Sequence, residues 1–177
     1  MCDINTINFN LANAIKNQGT LNVQGDVIQL LKSKKNKTEQ KGMLNSHKRD
    51  GASLTKFIFW IKNQVQNKNI TEMDAIKYLD NLRKGNKNFF SLSFPTIAGT
   101  GSNGAIVHYR ANKLTNKKIR KSDLFLVDSG AQYFDGTTDV TRTISFNKPR
   151  KDQIDMYTRV LKAVSYTHLR AHETAID

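Results

Sequence analysis

Leu124-Phe125-Leu126-Val127-Asp128-Ser129-Gly130-Ala131-Gln132-Tyr133-Phe134-Asp135-Gly136-Thr137-Thr138-Asp139-Val140-Thr141-Arg142 is the stretch that decides the fold. Leu124 to Val127 is a continuous apolar run, as a buried strand requires, and Asp128 ends it. Asp135-Gly136 is a hairpin-turn signal, and Thr137 to Phe146 is rich in β-branched residues. Two antiparallel strands joined by a tight turn are therefore predicted. A hairpin with a two-residue loop pairs even-numbered positions with odd-numbered ones. Side chains alternate faces with period two, so every such register puts Asp128 and Asp139 on one face. A turn centred on Asp135 and Gly136 offsets the two along the strands. A bulge or an earlier turn brings them together.

A carboxylate at the end of an apolar strand is costly to bury without a partner. Two carboxylates on one face repel unless a proton or a cation lies between them. Oxygen ligands suit hard divalent ions such as Mg, Ca and Mn. By spacing alone two readings stay open: a metal-binding pair, or ordinary strand-end and turn aspartates. Asp135 is read as a turn residue.

Upstream of this stretch the period changes twice. Leu54, Phe57, Ile58, Ile61 and Val65 follow the spacing of one buried helix face, in a helix expected from Lys37. Gly51 is a weak point within it. Thr71 offers an N-cap with Glu72 and Asp74 in the first turn; Ala75, Ile76, Leu79 and Leu82 form the apolar stripe, and Gly85 the stop. Phe90, Leu92 and Phe94 then alternate, and Pro95 limits that strand to an edge or an end. Gly99, Gly101 and Gly104 mark a tight turn region, and Ala105 to Tyr109 reads as a short strand. Pro149 opens a last helix with Ile154, Tyr157, Val160, Leu161 and Val164 on one face. Val23 to Leu31 reads as one strand or a short helix, and Ser33 to Asn36 as a linker.

Bulk composition excludes several classes. The chain has 177 residues and one cysteine, Cys2, so neither a disulfide framework nor a zinc-thiolate site is expected. Its start lacks a basic region followed by an apolar run, and no stretch approaches the length of a membrane span. A cytoplasmic location and no membrane partner follow as expectations. The net charge of +13 comes from scattered lysines among many asparagines and isoleucines, a mixture an AT-rich genome encodes. No nucleic-acid partner is expected, because such binders concentrate basic residues on one face with aromatics between them.

Three motifs occur in order: Phe94-Pro-Thr-Ile-Ala-Gly-Thr-Gly-Ser-Asn-Gly-Ala-Ile-Val-His108-Tyr, Val127-Asp-Ser-Gly-Ala-Gln-Tyr and Asp135-Gly-Thr-Thr-Asp139-Val-Thr-Arg-Thr. Together with Asn45-Ser-His47-Lys-Arg-Asp50-Gly, they make residues 37–163 resemble aminopeptidase P, the Xaa-Pro aminopeptidases. The resemblance implies an α/β (α+β) chain: the first half of a pita-bread fold, with a curved antiparallel sheet and flanking helices. It implies hydrolysis of an N-terminal Xaa-Pro peptide bond through a metal-bound water. Two divalent ions are implied, manganese by preference, held by two Asp, one His and two Glu. Carried over, Asp128 binds one metal, Asp139 bridges both, and His108 holds the substrate carbonyl as its charge develops. Without the resemblance, His108 reads as a satisfied histidine on a half-buried strand. His47 is read as structural and Arg142 as a structural partner of nearby carboxylates. The partner is a peptide with proline at the second position, and the full-length enzyme allows a homodimer.

The remaining His and both Glu ligands belong to the family's second half, expected after a helix at 149–164. Residues 1–36 are expected to be a remnant or linker before the catalytic domain, and 37–164 its N-terminal half. Residues 165–177 resemble translated sequencing-adapter read-through and are expected to be a non-native tail, so His168, His172 and Glu173 are set aside. On this reading the chain is a fragment, expected to be inactive by itself. Two alternatives are a creatinase-like pita-bread hydrolase and a non-catalytic pita-bread module that binds peptides or proteins.

Overall fold

The computed structural model describes residues 6–19 and 27–173, and side chains only to residue 167. Two compact units divide the chain, Met1–Gly42 and Met43–Asp177. In the first, α1 (Phe9–Gln18) is capped by the Asn8 side chain, which accepts from the backbone of Asn10 and Leu11. Its apolar residues are exposed: Phe9, Leu11 and Ile15 bury no common face. A short helix, α2 (Val27–Ser33), follows, so the described part of Val23 to Leu31 is helical.

Helix α3 (Lys37–Asn67) starts where the sequence places it. Asn36 N–H donates to Glu39 Oε2 at 2.8 Å and Glu39 N–H to Asn36 Oδ1 at 3.0 Å, a reciprocal cap. Leu54, Phe57, Ile61 and Val65 form its buried face, and Gly51 interrupts nothing. Thr71 caps α4 (Glu72–Lys84), donating and accepting with Asp74 in a full capping box. Ala75 and Leu79 are buried, and Ile76 and Leu82 pack against the core beside them. Gly85 stops the helix with an ordinary right-handed φ of −76°. The left-handed residue comes later, at Asn88 (φ 65°), whose carbonyl accepts from Phe134 N–H.

Six strands follow: β1 (Phe89–Leu92), β2 (Ile97–Thr100), β3 (Leu124–Ser129), β4 (Ala131–Tyr133), β5 (Gly136–Thr137) and β6 (Val140–Ser145). They form two antiparallel three-stranded sheets, ordered β2-β3-β6 and β1-β4-β5. The core lies between α3, α4 and one face of the first sheet. Phe57, Ile61, Leu79, Ala98, Phe125, Val127 and Ile144 meet there, each large side chain contributing about 1.5–3 kcal/mol on full burial. Leu124 to Val127, read as buried throughout, alternates instead: Phe125, Val127 and Ser129 are buried, and Leu124, Leu126 and Asp128 are half-buried on the other face. The second face of this sheet is thus the partly open one.

The hairpin is one residue earlier than its Asp-Gly signal suggests. Tyr133 pairs with Gly136, so Phe134 and Asp135 form the loop. A Cβ at Gly136 would strike Ser46 Oγ, which explains a glycine just after the turn. The same register continues through Gln132–Thr137 and on to Ser129–Val140 and Leu124–Ser145. One long hairpin therefore feeds both sheets. The change of sheet comes at Gly130, where an added Cβ would overlap the Thr138 carbonyl oxygen and Ser93 Oγ.

The last helix, α5 (Lys151–Glu173), runs past the expected end at Val164. No glycine or proline lies between Val164 and Glu173 to stop it. Its apolar residues Met156, Tyr157, Val160, Leu161 and Val164 are exposed.

Candidate metal centre

Asp128 and Thr141 are direct partners across β3 and β6, and Thr141 Oγ1 donates to Asp128 Oδ1 at 2.9 Å. Asp139 stands two residues before Thr141, exposed, immediately before β6. Continued by one step past Ser129–Val140, the register sets Asp139 opposite Gly130 and diagonal to Asp128. Diagonal neighbours on an antiparallel pair lie roughly 7–8 Å apart, within reach of a shared ion. The earlier turn brings about this approach. Neither aspartate makes an ion pair among the described residues. Two unneutralised carboxylates on one open face fit a hard divalent cation in charge and donor type. Among the described residues no three His, Cys, Asp or Glu side chains gather to hold a metal.

His108 does not sit on a strand. Gly101–Ala105 forms a 3-10 turn, Gly101 has φ 54°, and His108 itself has φ 54° and is exposed. The left-handed region is uncommon for a side-chain-bearing residue and costs roughly 1 kcal/mol or more. The turn lies over Gly99, where an added Cβ would come within 2.8 Å of Asn103 and Gly104 backbone atoms. Gly99 pairs with Leu126, and Ile97 with Asp128, on the same face. The turn leading to His108 therefore covers the sheet face that carries Asp128.

That turn is tied down by Glu72, which is fully buried and makes no ion pair among the described residues. Its Oε1 accepts from Thr100 N–H at 2.8 Å, and its Oε2 accepts from Lys117 N–H at 3.0 Å. Asn103 Nδ2 lies 3.0 Å from Oε1, and the Tyr109 hydroxyl 2.9 Å from Oε2. Burial pushes the Tyr109 phenol above its ordinary pKa; the Thr115 hydrogen bond works against this and Glu72 adds to it. The sequence marks Glu72 only as a first-turn acid. Its burial depends on a partner segment more than 25 positions away, which no local pattern announces.

A second buried group stands behind the hairpin. Asp50 pairs with Arg83 at 2.8 and 2.9 Å and accepts from Tyr133 OH at 2.9 Å. Burial and the Asp50 charge push Tyr133 up to about 12. Arg49 lies over the Tyr133 ring, 5.1 Å from its centre, and also pairs with Asp135. Burial opposes the Asp135 charge, but the Arg49 hydrogen bond and charge outweigh it and hold the carboxyl below its ordinary value. Asp135 is thus a turn residue with a structural partner. Arg142, expected to serve nearby carboxylates, donates instead to the Thr141 carbonyl at 2.8 Å. It pairs with Val127, which puts it on the face opposite Asp128. His47 Nδ1 lies 2.9 Å from the Met43 carbonyl, one turn back on α3.

Residues 41–172 match the model of metallopeptidase family M24. The chain belongs to that family. Among M24 relatives, an Xaa-Pro aminopeptidase of Drosophila melanogaster is 45% identical over 136 residues, 76% of this chain and 22% of the relative. Aminopeptidase P2 of Arabidopsis thaliana is also 45% identical, over 76% of this chain and 19% of its own length. The chain thus spans about a fifth of the length of these relatives. An X-prolyl aminopeptidase from Caenorhabditis elegans, described as a cytosolic enzyme with a di-nuclear active site, superposes with a TM-score of 0.71 at 39% identity. It covers 74% of this chain and 22% of its own. A Thermococcus sibiricus prolidase gives 0.69 at 27% identity over 91% of this chain and 42% of its own. The M24 fold here is the pita-bread type, mixed helix and antiparallel sheet. No described helix is long and apolar enough to cross a membrane.

Proposed function

We propose that this segment supplies Asp128, Asp139 and His108 to an Xaa-Pro aminopeptidase site. The observation that carries the reading is the hairpin register, which when continued puts the two aspartates on one open face, with no ion-pair partner among the described residues. Similarity to Xaa-Pro aminopeptidases supports the substrate: a peptide with proline at its second position. Asp128 and Asp139 would hold two divalent ions, manganese by preference, together with ligands from elsewhere in the enzyme. When bound, such ions supply an activated water and a Lewis acid at the scissile carbonyl.

The chain's own residues do the rest. Thr141 fixes one oxygen of Asp128, leaving the other free to face the site. His108, exposed just after the turn that covers the same face, donates a hydrogen bond to the substrate carbonyl as negative charge grows on its oxygen. The similarity to a cytosolic enzyme supports a cytoplasmic location. Because the chain covers a fifth of its relatives, activity is assigned to the protein that also carries the remaining ligands.

The test is an Xaa-Pro peptide assay with manganese on such a protein. Asp128→Asn and Asp139→Asn should each abolish turnover, and His108→Ala should lower kcat about 100-fold or more. Full turnover in Asp139→Asn overturns the metal assignment. An unchanged kcat in His108→Ala removes that residue from the reaction.

A further inference from the structure

We infer that Glu72 is a positioning residue for His108: its buried carboxylate fixes the turn that leads to His108 by clamping both ends and the middle of residues 100–117. The inference rests on the role proposed for His108, but its test does not.

The geometry is specific. A carboxylate buried without a cation must be satisfied by hydrogen bonds. Among the described residues, every donor to the Glu72 carboxylate comes from the segment that contains His108. Thr100 N–H reaches it from the start of that segment and Lys117 N–H from the end. Asn103 and Tyr109 reach it from either side of the exposed stretch Ala105–His108. The loop end is tied to the same helix twice more. Glu72 N–H donates to the Lys117 carbonyl at 3.0 Å, and Met73 N–H to Asn116 Oδ1 at 3.1 Å.

Between those anchors the chain has little else to hold it. Ile106 is 53% and Val107 82% exposed, so neither packs into the core. Two short backbone bonds close the turn, Ile106 N–H to Asn103 O and Tyr109 N–H to Ile106 O, both at 3.2 Å. Asn103 and Tyr109 therefore decide where the turn lies, and Glu72 decides where they lie. The left-handed φ of His108 is kept by the same clamp, since the next residue, Tyr109, is 5% exposed and fixed by its hydroxyl. Tyr109 OH also lies 2.9 Å from the Thr115 carbonyl and 2.7 Å from Asn103 Nδ2, so the anchors are cross-linked.

Substituting Glu72→Gln keeps the shape but exchanges one acceptor oxygen for an NH2 group, which confronts donors with a donor. The experiment is NMR on the full 177-residue chain. It follows amide hydrogen exchange and the His108 ring signals, assigned through His108→Gln. In Glu72→Gln, protection of the Ile106 and Tyr109 amides should fall about tenfold or more, while the Val127 and Ile144 amides keep theirs. The His108 ring signals should shift toward unstructured values. If Glu72→Gln does not fold, Tyr109→Phe takes its place and should shift the same His108 signals. Unchanged His108 signals in whichever variant folds overturn the inference. So does a uniform loss of protection across β3 and β6, which marks a general stability role. Peptidase turnover in His108→Ala decides the separate question of what His108 does.

Discussion

The hydroxyl of Thr141 donates to Asp128 Oδ1 at 2.9 Å across a direct cross-strand pair. Outer partners of this kind orient a metal-binding carboxylate, and losing one typically weakens binding about 10–100-fold. In the protein that carries the remaining ligands, Thr141→Val should lower manganese affinity by at least about tenfold. Manganese titration followed by electron paramagnetic resonance reads this directly. An affinity equal to wild type means that Thr141 orients nothing.

Gly130 admits no side chain where the hairpin passes from one sheet to the other. Gly130→Ala must push Thr138 or Ser93 aside, and overpacking of this kind costs about 1–3 kcal/mol. Urea unfolding should show that loss, and manganese affinity should fall with it because Thr138, which the new methyl would displace, immediately precedes Asp139. A fully stable alanine variant would mean that the crossing has slack.

Asp50 and Arg83 are 1% and 0% exposed in their side chains. Asp50→Asn leaves the guanidinium buried without its counter-charge, so the expected loss is about 3–5 kcal/mol. A double variant, Asp50→Leu with Arg83→Met, should be far milder because no charge remains in the core. Denaturant midpoints of the two variants test the contrast. Equal losses in both would place the cost in packing alone.

Burial and the Asp50 charge push the Tyr133 phenol up to about 12 in the folded chain, from an ordinary 10.0. A raised pKa in the folded state means that the neutral phenol is favoured by folding. The contribution is complete below pH 10 and is lost as pH rises from 10 through 12, by about 2–3 kcal/mol. Tyr133→Phe should lack this slope. Unfolding free energies between pH 9 and 12 should therefore converge for the two proteins as pH rises. Parallel curves would show that the phenol is not linked to folding.

Much of the scaffold is legible in the sequence because it is local. The buried face of α3, from Leu54 to Val65, follows from spacing alone, and so does the Thr71 cap. The common face of Asp128 and Asp139 follows from parity for any two-residue loop. The position of that loop does not. Phe134 and Asp135 turn the chain, rather than Asp135 and Gly136, because Gly136 must pass close to Ser46 on α3. The Ala105–Tyr109 strand fails for a similar reason. Its residues have strand-like composition, but Glu72 draws Asn103 and Tyr109 away from any ladder. The end of α5 lies beyond Val164 because amphipathic spacing marks a packed face, and this helix leaves its apolar side exposed.

The constant register on both sides of the crossing at Gly130, from Leu124 to Ser145, has a kinetic corollary. Both aspartates belong to one contiguous segment, so their meeting needs only the closure of a short loop, whose entropy cost is small. Zipping of such a segment takes on the order of 1–10 μs, whereas joining β2 to β3 must first close the long excursion between them. Low contact order thus favours an early rendezvous of the two carboxylates during folding. The Glu72 clamp spans 28 and 45 positions, so the same loop-closure argument predicts that it closes after the hairpin.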